Sequence, residues 1–248
     1  MDEVGVGTDG PRGLSQVERV VNTFVAPTAT FKDILRSTSW WLPFVLLVVF
    51  STASTYSIDR QVGFSRVAEN QVQASPKQAE QLAALTPQAR AAQMKLTTTW
   101  TRYMTYAIPV LLLAFLAIYA AILLGSFNLG LGARMSFGQV FAVSFYASLP
   151  YLLISLLTVL NVCFGGNQES FNLQNPVGTN LAYYMPDAAA WLKALLAQLD
   201  VVKLWTLALT VLGMKIVSKK TMAQSAAVVV GWWLLVVLVS VAATAAFS

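Results

Sequence analysis

Residues 106–163 read YAIPVLLLAFLAIYAAILLGSFN (Tyr106–Asn128), LGLGARMS (Leu129–Ser136) and FGQVFAVSFYASLPYLLISLLTVLNVC (Phe137–Cys163). A helix needs roughly 20 residues to cross about 30 Å of hydrocarbon, and both apolar runs exceed that length. Neither run contains Asp, Glu, Lys or Arg, whereas a surface helix of a soluble protein keeps a polar face. The stretch therefore predicts two membrane-spanning helices joined by a tight, glycine-rich turn.

Three further apolar runs flank this hairpin. The predicted spans are residues 40–57, 106–128, 137–163, 200–217 and 222–247. They predict an all-α fold class, a polytopic membrane protein whose five-helix transmembrane bundle occupies residues 39–248. Pro150 predicts a kink in the third span, because proline removes a backbone donor. Paired tryptophans are typical of the head-group layer, so we expect interfacial anchors at Trp40, Trp41, Trp232 and Trp233.

Three segments are predicted to lie outside the spans. Residues 1–13 are rich in glycine and acids and are expected to be disordered. Residues 14–38 have apolar side chains at helical spacing, which predicts two amphipathic interfacial helices. Their apolar faces meet either lipid or the bundle, because amphipathicity does not distinguish these partners. Residues 58–102 predict a helical hairpin insertion, with helices starting at Pro76 and Pro87.

The composition limits the chemistry of the chain. It has no histidine and a single cysteine, Cys163, so the commonest general base and the commonest metal ligands are missing. No catalytic constellation is visible, and we predict a protein that is not an enzyme and uses no cofactor or metal. The net charge is +5, but the basic residues are scattered and do not alternate with aromatics as in nucleic-acid-binding proteins. Membrane lipids are the expected partners, and nucleic acid is not.

The basic residues also predict an orientation. Arg134 marks one short loop and Lys215, Lys219 and Lys220 mark another, whereas residues 165–186 between them have no Lys or Arg. The positive-inside rule puts the two basic loops in the cytoplasm. Five spans then place the N-terminus inside and the C-terminus outside. The basic residues of the insertion 58–102 oppose this orientation, while Arg19 and other N-terminal basic residues agree with it.

Two charges lie inside an apolar run. Asp200 and Lys203 are three residues apart on one helical face, and an ionisable residue within a span indicates a functional site. With Asn161 they form the candidate intramembrane polar site. The alternative is that both lie at the end of the span, with Lys203 extending to the interface.

Five short motifs follow one another along the chain from Leu14 onward. They are Ala26-Pro27-Thr28-x-x-Phe31-x-x-Ile34, Gly132-Ala-Arg-Met-Ser-Phe137, Tyr146-Ala-Ser-Leu-Pro150, Asn175-Pro-Val-Gly-Thr-Asn180 and Leu199-Asp-x-x-x-Leu-Trp205. In this order, together with five spans, they resemble the Yip family, the Ypt/Rab-interacting membrane proteins, and most of all its bacterial branch. The resemblance implies, for eukaryotic members, vesicle trafficking and contact with small Rab-type GTPases. The acidic-aromatic DLYGP-like motif of those relatives is absent here, so the resemblance implies a fold rather than an activity.

Two functional hypotheses follow. The first is a non-enzymatic membrane protein that organises the bilayer or recruits a protein partner, either alone or as a homo-oligomer. A bacterial inner membrane is the expected location. The second is a transporter or channel for a small solute or ion that uses Asp200 and Lys203, and it predicts a mid-membrane cavity that reaches Asp200. A membrane-embedded enzyme is the most distant reading.

Overall fold

The structure, a computed structural model, describes residues 13–165 and 171–247. Within these residues, five helices are long and apolar enough to cross a membrane, judged by length and composition. They are Trp41–Gln61, Ile108–Gly130, Phe137–Gly165, Val201–Ser218 and Met222–Ala246. The predicted all-α class with five spans is confirmed. The predicted disorder of residues 1–13 falls, except for Gly13, outside the described residues.

The α-helices are numbered in chain order. They are α1 (Gln16–Val25), α2 (Pro27–Ile34), α3 (Trp41–Gln61), α4 (Phe64–Gln73), α5 (Pro76–Ala83), α6 (Pro87–Tyr106), α7 (Ile108–Gly125), α8 (Phe137–Ala147), α9 (Tyr151–Leu160), α10 (Ala190–Leu196), α11 (Val201–Ser218) and α12 (Met222–Phe247). One-turn π-helical segments, Ser126–Gly130 and Asn161–Gly165, extend α7 and α9.

Helices α1 and α2 form a pair that docks on the bundle. A reciprocal cap starts α1: Ser15 Oγ accepts from the Glu18 amide, and the Glu18 carboxylate accepts from the Ser15 amide at 2.6 Å. Pro27 starts α2 at a position where its missing N–H costs nothing. The pair packs on α8 and α11, so one apolar face of these helices meets protein.

The first span runs further than the sequence indicates. A predicted end at residue 57 follows from the serines and threonines in that region, but α3 continues to Gln61. Ser57 Oγ donates to the Ala53 carbonyl four residues earlier. Such a bond satisfies the hydroxyl within its own helix, so polar residues need not end the span.

The insertion folds as three helices beside the bundle. Thr86 Oγ1 accepts from the Ala89 amide at the start of α6, and both predicted proline starts are observed in α5 and α6. Helices α5 and α6, which start at Pro76 and Pro87 as predicted, contact each other, and α4 is an additional helix that packs on α6. Arg102 donates to Asp59 at 2.9 Å and so ties α6 to the end of α3.

The third span is interrupted where the sequence predicts its kink. Helix α8 ends at Ala147 and α9 begins at Tyr151, with Pro150 between them. The bundle core lies around α8, where α2, α3, α7 and α11 meet it. Gly213 of α11 lets the Phe31 ring approach closely: a Cβ there would lie 3.0 Å from that ring and 2.6 Å from Val143 Cγ1.

Candidate functional site

A cavity of about 680 Å³ lies between the spans. Its walls come from α3, α7, α9, α11 and α12 and are predominantly apolar. Among the described residues that line it, Lys203 is the single charged one. The hydroxyl-bearing lining residues include Ser51, Ser144, Ser148, Thr158, Thr206 and Thr210. The volume lies in the range of small-molecule sites, about 300–1,000 Å³.

Several of the lining hydroxyls bond within their own helices. Ser144 donates to the Val140 carbonyl at 3.0 Å, and Ser148 donates to the Ser144 carbonyl at 2.8 Å. Thr158 and Thr210 bond in the same way. Within the part of the chain that the structure describes, the buried hydroxyl of Thr206 has no partner. The walls therefore offer a few oxygen lone pairs on an apolar surface, which suits an apolar ligand better than an ion.

Lys203 reaches the cavity from the beginning of α11. Its Nζ donates to the Ala197 carbonyl at 2.9 Å and to Gln198 Oε1 at 3.4 Å. An ammonium has three donors, so one remains for another acceptor. No Asp or Glu among the described residues lies within ion-pair distance of this ammonium. Lys203 thus brings a cation, without a carboxylate partner, to the rim of an apolar space.

Asp200 is the N-cap of α11. Its Oδ1 accepts from the amides of Val202 and Lys203, and its Oδ2 accepts from Thr179 Oγ1 at 2.6 Å. Asp200 is buried, yet it is not one of the residues that line the cavity. The carboxylate is satisfied as a cap that also fastens the loop before α10.

Asn161 holds the same loop from the other side. Its Nδ2 donates to the Pro176 carbonyl at 2.9 Å, and the amide of Val201 donates to the Thr179 carbonyl at 3.0 Å. We call residues 175–180, with these bonds to Asn161 and to Asp200, the loop clasp. The structure therefore gathers the three predicted site residues at one end of the bundle, where only Lys203 contacts the cavity.

The four predicted anchor tryptophans occupy different surroundings. Trp40 packs in an aromatic cluster with Phe141 and Phe145, its ring centroid 5.0 Å from each of theirs. Trp41 is exposed. Trp232 lies about 15 Å along α12 from Met222 at 1.5 Å per residue, and both Trp232 and Trp233 line the cavity. An anchoring role for the four stays a prediction.

The sequence analysis missed a second polar cluster, which fixes the N-terminal helices. Arg19 is fully buried, and its Nε donates to Asp33 Oδ2 at 2.6 Å. A second guanidinium nitrogen donates to the Ser37 carbonyl at 2.8 Å, and Arg36 binds the other oxygen of Asp33 at 2.8 Å. We call Arg19, Asp33 and Arg36 the latch. Amphipathic spacing does not reveal it, because Arg19 looks like one more surface charge.

The electrostatics of the latch favour an ionised carboxylate. Burial by itself would raise the pKa of Asp33, but hydrogen bonds from Arg36 and Arg19 outweigh burial and hold the pKa below its usual value. Gln16 adds a further link to the bundle, since its Oε1 accepts from the Tyr146 hydroxyl at 2.9 Å. The latch therefore ties α1 to α2 and to the segment that follows α2, and the bond between Gln16 and Tyr146 ties α1 to α8.

Metal chemistry receives no support from the described residues. No group of three His, Cys, Asp or Glu side chains there could hold a metal ion.

These elements define a class: an all-helical integral membrane protein with five apolar helices and a docked N-terminal helix pair. The chain belongs to the family of the Yip1 domain, whose family model matches residues 21–244. No curated protein matches the chain, and no solved structure does.

Proposed function

We propose that this protein organises the membrane through α1, which the latch holds against α2 with an apolar ridge turned outward. The ridge consists of Val17, Val21 and Val25, which are 66 %, 52 % and 74 % exposed. Residues four apart lie on one side of a helix, so the three valines form a continuous row. This row is the observation that carries the proposal, because Phe24 of the same helix packs on Trp205 within the span α11, and an exposed apolar row beside a span marks a surface that contacts lipid.

Rigid attachment supports a shaping role. A free amphipathic helix binds and leaves a leaflet, whereas α1 is tied through the buried Arg19 to α2, which itself packs on α11. Three surfaces divide α1: Arg19 and Thr23 are buried, the valine ridge is exposed, and Glu18 lies on the exposed polar side. An inserted ridge that cannot retract adds area to one leaflet only.

The proposal includes a location and an orientation. The protein lies in a bacterial inner membrane, with its N-terminus in the cytoplasm and its C-terminus outside. Thr38, which follows α2, lies beside Gly138, close in sequence to the Arg134 loop, so the N-terminal helices and this basic loop share one end of the bundle. The positive-inside rule assigns that end to the cytoplasm.

The single cysteine tests the orientation without any variant. Cys163 is exposed and lies at the end of the third span that we assign to the outside. A membrane-impermeant maleimide added to intact spheroplasts should label it. The paired variant C163S/R134C, with an exposed position at the opposite end, should react only after permeabilisation. The reverse pattern would refute the orientation.

The shaping role is tested on reconstituted full-length protein. V17S/V21S/V25S removes the apolar ridge, and V17L/V21L/V25L is the matched control that keeps it apolar. Vesicle diameters are measured by cryo-electron microscopy at one lipid-to-protein ratio. Wild type and the leucine variant should give smaller or tubular vesicles, and the serine variant should give the diameters of protein-free vesicles. Equal diameters for wild type and the serine variant would refute the proposal.

Self-association and recruitment of a protein partner belong to the same proposal. Gly125 of α7 and Gly231 of α12 have open space where a Cβ would lie, which leaves room for a second helix to approach closely. Cross-linking in membranes between two differently tagged copies of the full chain tests self-association.

Transport of a small solute or ion through Asp200 and Lys203 is the second candidate. The cavity that reaches Lys203 favours it. Against it, the Asp200 carboxylate is occupied as a helix cap, and the cavity walls are mostly apolar. Proteoliposome flux measurements would decide in its favour only if Lys203→Gln abolished a flux that the wild type supports.

A further inference from the structure

We propose that the interhelical cavity is a binding site for an anionic phospholipid, with one acyl chain between the spans and the phosphate at Lys203. This inference does not depend on the shaping role of α1. The site lies at the other side of the bundle core and uses different residues.

The walls match an acyl chain in chemistry and in length. The hydroxyls of Ser144 and Ser148 are used within α8 and its following turn, and the walls as a whole present mainly methyl, methylene and ring surface. The lining along α7 extends from Ile108 to Ile122, which is about 21 Å at 1.5 Å per residue. One leaflet contributes about 15 Å of hydrocarbon. A chain from one leaflet therefore fits along the cavity.

The bilayer side of the cavity is flanked by the two least buried spans. Helix α7 packs on α3 and α8, and α12 packs on α10 and α11. Within the described residues, α7 and α12 do not pack closely against each other. A hydrogen bond from Trp232 Nε1 to Ser126 Oγ at 2.9 Å connects them near the end of α7. A lipid chain can thus enter sideways from the membrane, whereas the loops at the Lys203 end are held by the loop clasp.

Charge selects the head group. Lys203 lies two residues into α11, about 3 Å from the beginning of the span at 1.5 Å per residue, and a lysine so close to the end of a span can extend its ammonium to the head-group layer. Two of its donors are used by Ala197 and Gln198, and the third is available. Asp200 does not neutralise it in an ion pair, because its oxygens accept from α11 amides and Thr179. The phosphate of an anionic lipid accepts the third hydrogen bond of this ammonium, and the head group of a zwitterionic lipid does so less well.

The experiment uses the full-length protein in nanodiscs that contain equal amounts of phosphatidylglycerol and phosphatidylcholine. Native mass spectrometry counts the lipids that stay bound after release from the nanodisc. Lys203→Gln removes the cation, and Lys193→Gln is the matched control on the neighbouring α10, where Lys193 Nζ donates to the Pro186 carbonyl. Ser51→Phe fills the cavity from α3, and Thr52→Phe places the same ring on the exposed side of that helix.

Wild type should retain one phosphatidylglycerol in preference to phosphatidylcholine. Lys203→Gln should reduce this preference by about tenfold, the size expected for one charge-assisted hydrogen bond, while both control variants behave as wild type. Ser51→Phe should lose the retained lipid altogether, and it tests the site even if Lys203→Gln fails to fold. Unchanged retention in Ser51→Phe would overturn the proposal, as would an equal preference in wild type and Lys203→Gln. Replacement of the phospholipid by oleate, when both are offered, would also overturn it.

Discussion

Asp33→Ala removes the carboxylate of α2 that faces the buried guanidinium of Arg19 in α1, and it should release α1 from α2. Taking away one partner of a buried ion pair costs about 3–5 kcal/mol. The lower end applies, because Arg19 keeps the Ser37 carbonyl and Asp33 itself is 10 % exposed. A cost of about 3 kcal/mol lowers the ratio of docked to undocked helices by about 150-fold at 1.36 kcal/mol per tenfold.

Hydrogen–deuterium exchange of the full chain in nanodiscs measures this ratio. Amides of α1 that exchange when α1 leaves α2 should exchange about 150-fold faster in Asp33→Ala, in proportion to the undocked population. Amides of α8 should not change. Arg36→Ala is the matched control, because Arg36 binds the same carboxylate from an exposed position, where an ion pair contributes little. Equal protection of α1 in Asp33→Ala and wild type would refute the latch, and so would an equal effect of Arg36→Ala.

Three further outcomes follow from the structure. The difference in exchange rate between wild type and Asp33→Ala should be complete at neutral pH, because the lowered pKa of Asp33 means that the ionised carboxylate stabilises docking above its usual pKa of 3.8. This difference should vanish as the pH falls through the still lower pKa of Asp33 in the native protein. Gly213→Ala places a Cβ 2.6 Å from Val143 Cγ1 and should cost about 1–3 kcal/mol of stability by overpacking. The cost is measured as a lower Tm in detergent. Gly231→Ala, with open space at its Cβ, should not lower the Tm. Asp200→Ala should cost about 1–2 kcal/mol as a lost N-cap while Asp200→Asn stays close to wild type in the same measurement, because asparagine caps helices as well as aspartate does.

Much of the fold is predictable because it rests on long, local patterns. The five apolar runs, the Ser15 cap, the proline starts of α5 and α6 and the Pro150 break each depend on residues that are neighbours in sequence. The end of α3 is less predictable. Serine and threonine are polar and so suggest the end of a span, but inside a helix their hydroxyls can bond to carbonyls of the preceding turn.

The sites are less predictable because they depend on tertiary neighbours. The orientation argument counts Arg19 as a cytoplasmic surface charge, but the structure buries it against Asp33. Asp200 and Lys203 share a helical face in the sequence, yet one is turned into the loop clasp and the other lines the cavity. Trp40 is a predicted anchor, and its stacking on Phe145, with ring centroids 5.0 Å apart, is a contact that the paired-tryptophan pattern does not show. In each case the partner comes from a different element.

The motifs that carry the family resemblance lie at these tertiary contacts. Phe31 meets Gly213 in α11, Trp205 meets Phe24 with ring centroids 5.7 Å apart, and the loop clasp joins Thr179 to Asp200. Together with the packing of α8 on α11, these contacts join α1, α2, α8 and α11 into one frame, with polar bonds at both of its ends. Helices α7 and α12 lie at the edge of that frame and have the smallest buried share of the five spans. The cavity between them is therefore the part of the bundle that can open to lipid without disturbing the frame.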